Sequence, residues 1–323
     1  MQAIFLGTSS AVPTVQRNTV SIVINTSEGQ LMFDCGEGSQ RQMLYAGLNP
    51  MKLKAVFITH MHFDHIMGLV GLLMTMGLLN RTKPLTVVGP KGLGKMINFF
   101  ERELYMNHEY ELIFRSAEPG KVYEEGEVSV EAERALHSTE SFSYKVVHAK
   151  KKRKFHIERA RELGIPQGPL WGKLQVGETV EYNGRTIRPE EVCEPPARPI
   201  TVGISGDTAY SDSLVRFFAG VTLLIHESTF SSELQDRAKE MLHSTSTDAA
   251  RVALEAGAGY LIIYHFSERY RDIKLLENEA RSVFEKTTAA RDFMKVEILE
   301  NSIKAEQLKL RCAGKDADNK VGT

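Results

Sequence analysis

His60, His62, Asp64 and His65 put four metal-ligating side chains into six positions, at the end of the apolar run Ala55-Val-Phe-Ile-Thr-His60. Imidazole and carboxylate together suit zinc and its neighbours in the first transition row. A solvated turn before a helix would account for one histidine; four such groups side by side are costly to keep unless something positive binds them. His60 and His62, at i and i+2, can converge on one ion from an extended loop, while Asp64 and His65 point elsewhere and suit a second. A paired site needs ligands from later in the chain. His137 follows a strand-like run over 128–136, Asp207 lies in Ile204-Ser-Gly-Asp-Thr208 after another apolar run, and His265 closes Tyr260-Leu-Ile-Ile-Tyr-His265. The chain thus repeatedly delivers an ionisable side chain to a strand end, where ligands bind in open α/β sheets.

The elements that must position these groups follow from pattern and punctuation. Runs at 3–6, 20–24, 31–33, 55–58 and 85–88 are expected as strands, and 39–46, 66–79 and 92–104 as helices. Further strands lead up to 147, and a second half starts again with strands near 200–204, 223–225 and 261–263, with helices between them. Two such halves imply two sheets facing each other with helices outside, a four-layer αββα sandwich of the α/β class.

The 323 residues are 42% hydrophobic and 25% charged, with a net charge of -1. This is ordinary soluble composition with ample sequence for a core. Apolar runs are broken by Gly68, Gly71 and Gly77, and the start of the chain does not resemble a signal peptide, so no membrane role and a cytoplasmic location are expected. Cys35, Cys193 and Cys312 are far apart and suggest neither a disulfide framework nor a thiolate metal site. The tail, residues 314–323, is polar and expected to be disordered.

With no global basic field, any attraction for a polyanion must be local. Between 145 and 161, eight Lys or Arg residues face the single acid Glu158. Residues 158–163 are expected as a short helix, and Gly164-Ile-Pro-Gln-Gly-Pro169 cannot continue it. A block of this kind in a neutral chain marks a docking place for an anion.

Thr59-His-Met-His-Phe-Asp-His65, His137, Ser205-Gly-Asp-Thr208 and His265 resemble the metal-binding series of the metallo-β-lactamase superfamily. Within it the chain is similar to the ribonuclease Z family, tRNA 3′-processing endoribonucleases, from residue 1 to about 291. Leu6-Gly-Thr-Ser-Ser-Ala-Val-Pro13, Phe33-Asp-Cys-Gly-Glu-Gly38, His226-Glu-Ser-Thr-Phe230, His243-Ser-Thr245 and His265-Phe-Ser-Glu-Arg-Tyr270 carry that likeness.

The resemblance implies the metallo-β-lactamase fold over 1–313 with an inserted flexible arm at about 148–178. It implies two zinc ions per subunit, with manganese a substitute: His60, His62 and His137 on one, Asp64, His65 and His265 on the other, and Asp207 bridging. The implied reaction cuts the 3′ trailer from precursor tRNA, leaving a 3′-hydroxyl on the tRNA and a 5′-phosphate on the trailer. Asp64 would orient the attacking water and take its proton, and His243, hydrogen-bonded to Glu227, would serve the departing oxygen. A homodimer is implied, one subunit's arm presenting tRNA to the other's site.

Lys150, Lys151, Lys152, Arg153, Lys154, Gly168 and Pro169 would belong to the tRNA-gripping arm. Arg17 would meet a phosphate near the cleavage site and Arg269 would also contact substrate. Pro13-Thr-Val-Gln-Arg-Asn18 departs from the Pro-x-Lys-x-Arg-Asn form at Val15, which leaves the cleavage position and the response to a CCA end open. The competing expectations are a hydrolase of small phosphodiesters, which would leave the arm idle, and a non-catalytic RNA-binding module.

Overall fold

The computed structural model describes residues 1–104, 109–300 and 302–310. Along the chain run β1 (Gln2–Gly7), β2 (Ser21–Asn25), β3 (Gln30–Phe33), α1 (Ser39–Tyr45), β4 (Leu53–Phe57), α2 (Phe63–Leu78), β5 (Leu85–Gly89), α3 (Leu93–Glu103) and β6 (Leu112–Ser116). The strands β7 (Gly120–Glu125), β8 (Val128–Arg134) and β9 (Phe142–His148) precede a small inserted unit. That unit holds α4 (Ile157–Glu162), α5 (Pro169–Gln175), the hairpin β10 (Val180–Tyr182) and β11 (Arg185–Ile187), and α6 (Pro189–Val192). Next come β12 (Ile200–Ile204), α7 (Asp212–Phe217), β13 (Leu223–Glu227), α8 (Gln235–Met241) and α9 (Ser246–Glu255). The last elements are β14 (Leu261–Tyr264), α10 (Lys274–Val283), β15 (Thr287–Ala289), β16 (Met294–Ile298) and β17 (Ile303–Gln307).

Among the described residues, one sheet has the order β17-β16-β1-β2-β3-β4-β5-β6 and the other β15-β14-β13-β12-β9-β8-β7. Alternation of side chains across each strand produces the layers. Ala3 and Phe5 of β1, Ala55 and Phe57 of β4 and Ile262 and Tyr264 of β14 point between the sheets. Ile4, Leu6 and Val56 point to α1–α3, and Leu261 and Ile263 to α7, α9 and α10. Central strands are therefore apolar on both faces, as strands covered on both sides must be. Phe33 and Phe57 stack at 4.9 Å, and Tyr144 of the opposite sheet meets both and donates to the Ile58 carbonyl at 2.8 Å. The expected αββα sandwich is what the chain forms.

The parallel strands β4, β12, β13 and β14 end at one edge of the sandwich, and β8 ends there too, since both β8 and β12 run antiparallel to β9. The inserted unit departs from the other edge: His148 at the end of β9 pairs with Ile200 at the start of β12. Seven residues of β9 at roughly 3.4 Å each separate the two edges by about 20 Å.

The insert has its own core of Ala160, Ile165, Leu174, Val180, Ile187 and Val192, with Phe155 and Trp171 packed on it. The unit runs on to about 193, past the expected 178, because the β10–β11 hairpin and α6 close that core. Pro169 occupies the first turn of α5, where its missing N–H has no intrahelical partner in any case. Cys35 and Cys193 are buried and unpaired, and burial pushes the Cys35 thiol up to about 12, so neither is a reactive thiolate. Cys312 and the tail 314–323 lie outside the described residues.

Candidate metal centre

His60 and His62 occupy the loop leaving β4, and Asp64 and His65 fall in the first turn of α2, where a carboxylate is favoured by the helix dipole. His137 follows β8, Asp207 follows β12, His265 follows β14, and His243 precedes the capping box of α9 formed by Thr245 and Asp248. Gly206 makes the turn to Asp207 at φ +61°; a Cβ there would lie 2.9 Å from the Thr59 side chain. Ala11, Asp34, Leu242 and His265 also have positive φ, and all four border the centre, a concentration of backbone strain of the kind found where geometry is imposed by function.

The structure brings the seven expected ligands together. One ligand atom from each of His60, His62, His137 and Asp207 lies within 4.8 Å of the others, and the same holds for Asp64, His65 and His265. Asp207 spans the two groups: Oδ2 is 3.6 Å from His60 Nε2 and 3.4 Å from His65 Nε2, and Oδ1 is 3.1 Å from His265 Nε2.

Hydrogen bonds behind the rings fix which nitrogen faces inward. The Thr229 hydroxyl lies 2.7 Å from Glu227 Oε2 and 2.8 Å from His265 Nδ1. A carboxylate only accepts, so the single hydroxyl proton goes to Glu227 and His265 Nδ1 must donate. Thr59 gives its hydroxyl proton to Asp34 at 2.9 Å and so accepts from His60 Nδ1 at 3.0 Å. His65 Nδ1 donates to Asp34 at 2.8 Å and His137 Nδ1 to the Leu242 carbonyl at 3.0 Å. All four rings therefore present a bare Nε2 to the same space, and His62 adds its Nδ1, 2.9 Å from His60 Nε2.

His65 Nε2, His265 Nε2 and Asp207 Oδ1 are buried without a hydrogen bond. Lone pairs gathered in a dry space repel unless a cation takes them, and an outward-tied Nδ1 behind an inward Nε2 is the arrangement of metal-bound histidine. The donor set fits a bound metal cation.

The electrostatics agree. Burial disfavours charge on Asp207, yet His265, His65 and His60 hold its carboxyl well below the usual range, and Asp64 is likewise kept ionised by His65 and His265 against its own burial. Burial opposes charge on His65 too, but Asp207, Asp34 and Asp64 outweigh it and raise its pKa well above normal, so its Nε2 lone pair is the place where either a proton or a metal ion is held. The three carboxylates thus form a strong negative field that favours positive charge at the inward nitrogens.

His243 stands beside this group, its ring 5.6 Å from His265 and nearly parallel to it. Its Nδ1 is 2.8 Å from Glu227 Oε1. Burial works against the imidazolium, but the charge and hydrogen bond of Glu227 raise the pKa to about 9.

The sequence reading placed Arg17 against a phosphate, and the structure corrects it. Arg17 is buried, donating to the Tyr270 carbonyl at 2.9 Å and the Ser267 carbonyl at 3.2 Å. It fastens the loop after β1 to the turn that follows His265. The N-terminal limb of the same loop gives the Ala11 amide to Asp64 Oδ2 at 2.8 Å.

Arg269 is exposed, with its guanidinium over Phe230. Lys150, Lys151 and Lys152 are exposed on the irregular segment that leads from β9 into the inserted unit, and Gly168 and Pro169 are exposed within it. Arg153 and Lys154 are held by Glu190 at 2.9 Å and Glu194 at 2.7 Å, which lessens their availability to a ligand. Sequence reasoning gave no role to Asp34 or Thr229, which orient two rings, although Asp34 follows β3 in the same strand-end context as the ligands.

Asp292 supports the Ala11–Arg17 loop from below, accepting from Thr8 Oγ1 at 2.8 Å and the Asn18 amide at 2.7 Å. Burial is the dominant influence on it and raises its pKa to about 6. A carboxyl with a raised folded pKa binds its proton more tightly in the native state. Its contribution to stability is present below about pH 4 and is lost as pH rises to about 6, by on the order of 3 kcal/mol. Asp292→Asn is expected to remove that fall from the pH dependence of urea unfolding; an unchanged difference curve would show that the group titrates normally.

A family model described as Anti-Pycsar protein Apyc1 matches residues 1–156. Over 299 residues the chain is 38% identical to Ribonuclease Z of Methanosarcina mazei, covering 92% of this chain and 98% of that one. It is 40% identical over 298 residues to Ribonuclease Z of Methanothermobacter thermautotrophicus, covering 92% and 97%. Among solved structures, human tRNase Z, short form, superposes with a TM-score of 0.68 at 25% identity over 93% of this chain and all of that one. The metallo-β-lactamase fold protein YhfI of Bacillus subtilis gives 0.65 at 20% identity, covering 92% and 99%.

Proposed function

The chain belongs to the ribonuclease Z family, metal-dependent endoribonucleases of the metallo-β-lactamase fold, and from that premise we propose that it is a zinc enzyme that cuts the 3′ trailer from precursor tRNA. The products are a tRNA ending in a 3′-hydroxyl and a trailer beginning with a 5′-phosphate. The observation that carries the reading is the convergence of inward-facing nitrogens and two ionised carboxylates on one space.

His60, His62 and His137 would hold one zinc ion and Asp64, His65 and His265 the second, with Asp207 between them. Bound there, the ions would supply Lewis acidity, making an attacking water more acidic and offsetting charge that builds on the phosphate. Asp34, Thr59, Thr229 and the Leu242 carbonyl keep the rings aimed. Asp64 has one oxygen, Oδ2, fixed by the Ala11 amide, so its other oxygen is the one to receive the proton of the attacking water. His243, kept protonated by Glu227 through Nδ1, offers its Nε2–H to the departing ribose 3′ oxygen.

His243→Ala is expected to lower turnover of precursor tRNA by roughly 10²–10⁴-fold. An aryl phosphodiester, whose leaving group needs no proton, should lose far less. Loss of metal from the variant would instead make His243 a ligand.

The inserted unit is the tRNA grip, with Lys150, Lys151 and Lys152 among its exposed cations that make no ion pair among the described residues. Because it springs from the edge opposite the metal centre, a grip on one subunit is better placed to serve the centre of another. The outward face of α2 supports self-association: Phe63, Met67 and Leu78 are all exposed on a helix that is apolar all round. We accordingly infer a homodimer, which light scattering in solution tests; a mass of 36.2 kDa would contradict it.

Incubating a 3′-extended tRNA precursor with the protein, with and without chelator, and mapping both new ends tests the reaction. A 3′-phosphate on the tRNA, or unchanged cleavage in chelator, would refute it.

A further inference from the structure

We propose that a cleft on the outer side of the Ala11–Arg17 loop binds the phosphodiester backbone of the single-stranded trailer, with Arg271 and Arg291 as its phosphate contacts; this rests on the trailer-cutting reading above. The cleft has a volume of about 380 Å³ and is bounded by Gln16, Arg17, Arg271, Arg291 and Asp292. A hollow of about 420 Å³ shares Gln16, Arg17 and Arg271 with it and extends it to the loop tip at Val15.

Two unengaged arginines line this cleft. Arginines on neighbouring helices are matched, as Arg251 by Glu255 and Arg281 by Glu277. Arg271 and Arg291 are exposed and make no ion pair or hydrogen bond through their guanidinium groups among the described residues. Arg17 adds a third positive charge in the wall, and its Nε is buried without a partner. Three acids line the cleft and its extension: Asp292 accepts from Thr8 and Asn18, Asp272 from the Lys274 amide at 3.0 Å, and Glu268 from the Ser267 hydroxyl at 3.1 Å. The arginines and acids of the trough balance in number, so what it offers an anion is the pair of unengaged guanidinium forks of Arg271 and Arg291, which suit phosphate oxygens.

The direction of the cut strand assigns the ligand. The departing 3′ oxygen belongs to the tRNA and faces His243, which contacts Asp207 and Glu227. The phosphate and the trailer attached to it therefore leave by another side. The Ala11 amide closes on Asp64 from the loop whose far limb carries Arg17, so this loop is a wall common to the centre and to the cleft. A strand passing Asp64 and crossing the loop enters the trough, where backbone contacts take it without regard to sequence.

The test is the double variant Arg271→Glu/Arg291→Glu, checked for native melting temperature and metal content. It is assayed on precursor tRNAs with trailers of increasing length and for binding of a short 5′-phosphorylated oligoribonucleotide, with inorganic phosphate as competitor. The proposal expects kcat/KM on long trailers to fall at least roughly tenfold, with a penalty that shrinks as the trailer shortens. It also expects a shallower salt dependence, by about one in slope for each phosphate no longer neutralised, and weaker oligonucleotide binding. A loss independent of trailer length, or none at all, overturns it. Displacement of the oligonucleotide by inorganic phosphate at equal concentration also overturns it, since the cleft would then be a free-anion site. Wild-type protein that cuts no precursor at all refutes the reaction, whereas cutting without the length dependence refutes only the cleft.

Discussion

Excising residues 150–198 and joining the flanking strands through Asn-Gly leaves a folded protein that hydrolyses an aryl phosphodiester but processes precursor tRNA at least roughly 100-fold less well. The excision is mild for the sandwich because β9 and β12 are antiparallel neighbours with His148 opposite Ile200, so a tight hairpin can replace the insert. The insert carries its own core, so its removal opens no cavity between the sheets. It takes Lys150, Lys151 and Lys152 with it, and the salt dependence of tRNA binding should flatten accordingly. Kinetics on both substrates at two ionic strengths decide the matter. Equal loss on both would mean that the insert shapes the centre itself, and equal retention would make it idle and favour a small phosphodiester as the natural substrate.

The second large effect belongs to Asp207. Asp207→Asn keeps the shape of the side chain and removes the charge that faces His60, His65 and His265 at once. Activity should fall by roughly 10³-fold or more, and the retained divalent metal should drop, because the residue common to both donor groups no longer favours a cation. Asp34→Asn provides the graded comparison: it is not among the clustered donor atoms and acts by orienting His65 directly and His60 through Thr59, so a loss of about 10–100-fold is expected. Elemental analysis beside single-turnover rates separates the two. If Asp207→Asn and Asp34→Asn cost the same, the bridging position of Asp207 has no special weight.

The clustered side chains could be recognised from the chain because they combine chemically distinctive groups with a local signal, the end of an apolar run. His60, His137, Asp207 and His265 all share that context, and folding only has to align the strand ends. The groups that hold them escaped notice for the opposite reason. Thr229 and the Leu242 carbonyl are unremarkable in sequence, and their roles depend on contacts with His265 and His137 across 36 and 105 positions.

Arg17 shows the reverse error: an arginine in a polar loop looks like a phosphate contact until the turn after His265 is seen to bury it, with carbonyls from 250 and 253 positions away. The insert was recognised by its basic start, yet its full extent was hidden. The hairpin and α6 that complete its core contribute single apolar residues, Val180, Ile187 and Val192, with no periodic signal. The layered fold was accessible from the two successive series of strands, whereas strand order rests on long-range pairings such as Ala3 with Val296.

The account depends on the seven side chains acting as one paired-cation site, and the metal content of folded wild-type protein, measured together with cleavage during stepwise chelation, tests it most directly. Two divalent ions per chain, lost together with trailer cleavage and restored together by zinc, is the predicted result. Folded protein that still cuts precursor tRNA after every divalent ion has been removed would contradict it.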